Sequence, residues 1–79
     1  MKSRHDLINH LRRHRTLADL TQQELADRVR VTRQTILSIE KGKYTPSVGL
    51  ALLLASELGT TVESLFALKG HDRPKGDPR

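Results

Sequence analysis

Apolar residues along this chain recur at intervals of three and four rather than two. Leu7, Ile8 and Leu11 have that spacing and predict a first helix from about Arg4 to Arg15. Thr21-Gln22-Gln23-Glu24 reads as a capping box. The Thr oxygen takes a free helix amide, and the Glu three residues on returns the bond. It opens a second helix with Leu25, Ala26 and Val29 on its inner face. Thr32 fits the N-cap of a third helix, Arg33 to about Lys41, with Ile36 and Ile39 inward. Gly42 stops it, because a helix end commonly needs a left-handed residue. Lys43-Tyr44-Thr45-Pro46 is a loop. Ser47 caps a fourth helix, Val48 to Leu58, which Gly59 ends, and Thr60 or Thr61 caps a short fifth, Val62 to about Leu68. No strand pattern is visible. Residues 69–79 hold two Pro, two Gly and no large apolar side chain, and read as a disordered tail. The expected fold is all-α: one five-helix domain over residues 1–68, followed by that tail.

The second and third helices are joined by only Arg30-Val31-Thr32, so they must cross steeply. Ala26 is small where they approach, and Val29, Val31, Ile36 and Ile39 form the buried seam. The outward residues of the third helix are then Arg33, Gln34, Thr35, Ser38 and Lys41. All are polar hydrogen-bonding residues and none is a carboxylate, whereas an ordinary solvated face usually mixes in Glu or Asp. Arg pairs with guanine and Gln with adenine by double hydrogen bonds in a major groove, so this face suits duplex DNA.

Charge sharpens the picture. The chain has 79 residues and a formal net charge of +5. Residues 1–45 hold ten basic and five acidic side chains, and residues 46–79 hold four of each. The whole surplus lies in the half that carries the two short helices, which points to a polyanionic partner. There is no cysteine, which removes disulfide and thiolate chemistry. The longest apolar run, Leu50 to Ala55, is too short to span a bilayer, and the first residues lack a leader's apolar stretch. A soluble, cytoplasmic protein is expected. A chain this short hardly encloses a water-excluding pocket, and no nucleophile motif or phosphate-cradling loop is present, so it is not expected to be an enzyme. His10 and His14 stand four apart, a metal-ligand spacing, but no further ligand accompanies them suitably. They read as exposed histidines, and no metal or cofactor is expected. Arg12 and Arg13 fit either a contact with DNA backbone or a solvated surface, and the solvated reading is preferred.

Leu20-Thr21-Gln22-x-x-Leu25-Ala26, Val31-Thr32-Arg33-Gln34-Thr35-Ile36, Ile39-Glu40-x-Gly42-Lys43 and Pro46-Ser47, in this order and spacing, resemble the lambda-repressor/Cro (Xre) type of helix-turn-helix regulators. The resemblance covers about residues 7–68. It implies a sequence-specific regulator that binds double-stranded operator DNA as a homodimer. It further implies base-reading roles for Arg33, Gln34 and Ser38, and a base or phosphate contact for Thr35. Gln22, Thr32, Lys41, Lys43 and Tyr44 become the phosphate-binding set. Gln22 sits at the start of the second helix, and Lys41, Lys43 and Tyr44 are expected on the other side of the groove. Arg15 and Glu40 match a pair that ties the first helix to the third. Arg30 departs from the pattern, since that turn position is most often Gly; a left-handed backbone there costs a non-Gly residue roughly 1 kcal/mol.

In the fourth helix Val48, Ala51, Leu52, Ala55 and Leu58 form the expected inward stripe. Leu50, Leu53 and Leu54 then lie partly outside it and are candidate dimer contacts, while Phe66 is assigned to the core. Stand-alone repressor, restriction-modification controller and antitoxin compete as contexts, and a protein-binding adaptor on the same fold is the rival outside DNA binding. RNA polymerase becomes a further partner where the bound site lies beside a promoter.

Overall fold

The structure is a computed structural model, and it describes residues 7–68. Its element order is β1 (Leu7–Asn9), α1 (Leu11–Leu17), α2 (Gln22–Val29), α3 (Arg33–Glu40), α4 (Val48–Glu57), α5 (Val62–Leu65) and β2 (Phe66–Leu68). The tail assigned to residues 69–79 and the start of the expected first helix, before residue 7, lie outside the described residues.

Four helix ends close by one device. Asp19, Arg30, Gly42 and Gly59 all have positive φ, between 62° and 76°. At each, the next residue's amide reaches back five residues: Leu20 to Arg15, Val31 to Ala26, Lys43 to Ser38 and Thr60 to Ala55, at 2.9–3.1 Å. This is the Schellman closure, which satisfies carbonyls that a helix end otherwise leaves open. Glycine supplies it twice. Arg30, at φ 62° and ψ 44°, is left-handed as the turn between α2 and α3 requires, and Asp19 does the same after α1 without a glycine to announce it. The N-termini are as regular. Thr21, Thr32, Ser47 and Thr61 each accept from the backbone amide three residues on, and Glu24 completes the capping box at α2.

Five helices and their order agree with the all-α expectation, but two boundaries do not. The first helix begins at Leu11 rather than near Arg4, and the fifth ends at Leu65 rather than near Leu68. Residues 7–9 and 66–68 instead pair as a short antiparallel ribbon, with Leu7 opposite Leu68 and Asn9 opposite Phe66. The physical reason is non-local. Three-residue strands are too short to show alternation, and each takes its hydrogen bonds from the far end of the domain. The His10 amide donates to the Leu65 carbonyl at 2.7 Å, and the Asn9 side chain accepts from the Leu11 amide at 3.3 Å. The ribbon thus sets where α1 starts.

Leu11, Leu25, Ile36, Ile39, Leu54 and Leu65 are fully buried in one core, with Ala26 at the close approach of α2 and α3. The rotation of α4 differs from expectation. Leu54 is 0% exposed and so is no free dimer contact, while Leu50 packs against the core and is half-buried. Val48 and Leu52, assigned inward, are 76% and 56% exposed. The segment Val48-Gly49-Leu50-Ala51-Leu52-Leu53-Leu54 is apolar around nearly its whole circumference, so its pattern points in no direction; packing against α2 and α5 chooses the buried side. Phe66 packs against the core from β2.

Candidate nucleic-acid interface

α3 is held with one face in and one face out. Ile36 and Ile39 are buried, while Arg33 and Gln34 are exposed, and Thr35 and Ser38 are half-buried beside them. Thr32 caps the helix, and its hydroxyl also lies 3.2 Å from that of Thr35. The Gln34 amide donates to the Ser38 hydroxyl at 3.3 Å, which keeps the amide on the outer face. The carboxylate of α3, Glu40, turns away from this face: its side chain is only 5% exposed and meets Arg15 on α1. The outward surface therefore carries donors and hydroxyls without a negative charge.

Two shallow hollows flank that surface. One, of about 220 Å³, is lined by Gln34, Thr35, Ser38, Lys43 and Tyr44. The other, of about 210 Å³, is lined by Arg12, Arg15, Gln22, Leu37, Glu40 and Lys41. This sorts the expected phosphate set differently from the sequence reading. Lys43 and Tyr44 stay together on the loop side, but Lys41 joins Gln22 on the opposite side. The cause is the Schellman turn at Gly42, which reverses the chain between the two lysines. Arg12, read from the sequence as a solvated charge, lines the hollow with Gln22 and Lys41. The signal for it was the three-residue spacing from Arg15, which puts both on one side of α1.

A compact network organises the second hollow. Glu40 Oε2 accepts from Arg15 Nε at 2.6 Å, and Oε1 accepts from Arg15 Nη2 at 3.3 Å and from Gln22 Nε2 at 3.1 Å. Arg15 Nη1 also donates to the Leu20 carbonyl at 2.8 Å. One carboxylate thus fastens α1, the start of α2 and the end of α3. The two-pronged Arg contact adds direction as well as energy.

A helix-turn-helix family profile matches residues 11–65. The chain is 48% identical over 58 residues to an uncharacterized HTH-type transcriptional regulator of Methanocaldococcus jannaschii, covering 73% of this chain and 88% of that one. It is 52% identical over 59 residues to another from Methanothermobacter thermautotrophicus, covering 73% and 86%. Among solved structures, the restriction-modification controller protein C.AhdI from Aeromonas hydrophila superposes with a TM-score of 0.64 at 30% identity, covering 68% of this chain and 78% of that one.

Proposed function

The chain belongs to the helix-turn-helix family of transcriptional regulators, a non-enzymatic, DNA-binding family, and on that premise we propose that it reads a palindromic operator as a homodimer. α3 enters the major groove, with Arg33, Gln34, Thr35 and Ser38 toward base edges. Gln22, Thr32, Lys41, Lys43 and Tyr44 serve the phosphates on either side. The observation that carries this reading is the carboxylate-free outer face of α3, flanked on both sides by cations. Phosphate contacts set register, and base contacts then discriminate. An adaptor that bound protein instead would be expected to show acidic or apolar residues on that face. Among the described residues no helix is long and apolar enough to cross a membrane.

Selection of bound duplexes from random DNA is the direct test: a two-fold symmetric site with half-sites about one helical turn (~34 Å) apart is expected. On that site Arg33→Ala and Gln34→Ala each weaken binding by about 1–3 kcal/mol and relax preference at particular bases. Lys43→Ala instead weakens all duplexes alike and flattens the salt dependence. Wild-type affinity in both α3 variants removes the base-reading assignment.

For the dimer, Leu53 remains a candidate at 49% exposure beside half-buried Leu50, and Val48 and Leu52 join them in place of buried Leu54. Val48 and Leu52 border an apolar groove with Leu7, Pro46, Val62 and Phe66, and no charged side chain lines it. A second copy of a chain with net charge +5 is repelled by most of this surface, so an uncharged face is where it docks at least electrostatic cost. Leu52→Glu or Leu53→Glu is expected to give monomers in sedimentation velocity runs. Dimers persisting in both variants would move the contact elsewhere.

A further inference from the structure

Of the four left-handed helix ends, two are glycines, which adopt that conformation freely, and a third is Asp19, whose short polar side chain suits it. Arg30 has neither property, yet it holds φ 62° and ψ 44° at the joint of α2 and α3. Its long side chain does nothing to ease the backbone, and strained backbone of this kind concentrates at functional sites. Local structure gives the side chain little to do. Arg30 is exposed, and among the described residues its guanidinium makes no ion pair. The negative end of the α2 dipole favours a cation, but Arg28 in the last turn already meets it, and Arg28 also pairs with Glu57 at 3.8 Å.

We propose that Arg30 is a further DNA ligand: a cation set in the turn itself, gripping the sugar-phosphate chain beside the first turn of α3. The inference rests on the DNA-binding reading above and adds to it a residue that lines neither hollow. Place and chemistry argue for it together. Arg30 stands three residues before α3, next to the cap Thr32 and exposed Arg33. Lys41 and Lys43 lie past the other end of that helix. Eight helical residues span about 12 Å, so those lysines do not serve the backbone beside the first turn. A guanidinium carries a fork of donors that matches the two free oxygens of a phosphodiester. The strained backbone then lowers stability while the side chain raises affinity. Glycine relieves the one and removes the other, so stability and binding should move in opposite directions at this position.

The experiment compares the full-length wild type with Arg30→Gly, Arg30→Lys, Arg28→Gln and Lys43→Gln on the selected duplex and on random DNA. Association constants are taken from fluorescence anisotropy between about 50 and 200 mM salt, where each phosphate contact contributes about 0.9 to the steepness of log K against log salt concentration. Arg30→Gly is expected to reduce that steepness by about 0.9, to weaken both duplexes by the same factor, and to melt at or above the wild-type temperature. Arg30→Lys keeps both the charge and the strain, and should match wild type in slope and melting. Arg28→Gln removes an equal charge from the same helix end, and should leave the slope near the wild-type value. Equal losses in Arg30→Gly and Arg28→Gln overturn the proposal, because they mark a diffuse effect of net charge. A flattened slope for Lys43→Gln with none for Arg30→Gly leaves DNA binding standing and overturns the Arg30 contact alone. An Arg30→Gly chain that melts below wild type also overturns it, since the arginine then serves the fold. A wild-type chain that binds no duplex removes both readings.

Discussion

Leu54→Ala is expected to destabilise the domain by about 2–5 kcal/mol, the range for truncating a fully buried leucine. Leu54 is 0% exposed and belongs to the core cluster with Leu25, Ile36 and Leu65. Its removal loses apolar burial and leaves a cavity that the surrounding helices fill only in part. Natural domains hold roughly 0.05–0.15 kcal/mol per residue, so this loss is a large share of the whole stability of so short a chain. The neighbour is the control. Leu53, half exposed, should change stability by no more than about 0.5 kcal/mol when truncated. Urea denaturation of both variants checks the pair. A Leu53→Ala variant less stable than Leu54→Ala would mean that α4 is turned the other way, and would return Leu54 to the candidate dimer contacts.

Glu40→Ala is expected to cost about 3–5 kcal/mol, through a different mechanism. The Arg15 and Glu40 side chains are 13% and 5% exposed, so removing the carboxylate strands a guanidinium that water barely reaches. Arg15 keeps only its bond to the Leu20 carbonyl, and Gln22 loses its anchor. The loss comes mainly from the orphaned charge rather than from the attraction of the pair. Arg15→Met combined with Glu40→Leu should therefore be less destabilised than Glu40→Ala alone. A Glu40→Ala variant that unfolds at the wild-type urea concentration would reduce the pair to a surface contact of little worth. DNA binding should fall in Glu40→Ala by more than its unfolded fraction explains, because Gln22 and the end of α3 are no longer fixed relative to each other.

Most of the site was legible because it is written in short-range signals. The cap at Thr21 with Glu24, the cap at Thr32, and the three residues joining α2 to α3 place the third helix. Ile36 and Ile39 then fix which of its faces is out. The Arg15–Glu40 pair came instead from the resemblance to known regulators, since no local pattern joins residues 25 apart. The grouping of the residues proposed to bind phosphate was not legible. Lys41 and Lys43 are two apart in sequence, yet the turn at Gly42 sends them to opposite sides of α3. Arg12 differs from Arg13 only in its three-residue spacing from Arg15, which puts those two on one side of α1.

The amino-acid sequence by itself determined the helices, their caps and stops, and the polar outer face of α3. Each depends on hydrogen bonds or periodicity within about four residues, a range in which neighbours along the chain are neighbours in space. Tertiary structure alone decided the ribbon that joins residues 7–9 to 66–68, the rotation of α4 and the partition of cations between two hollows. A three-residue strand exists only where its partner completes its hydrogen bonds, and a helix apolar all round is oriented only by what it packs against.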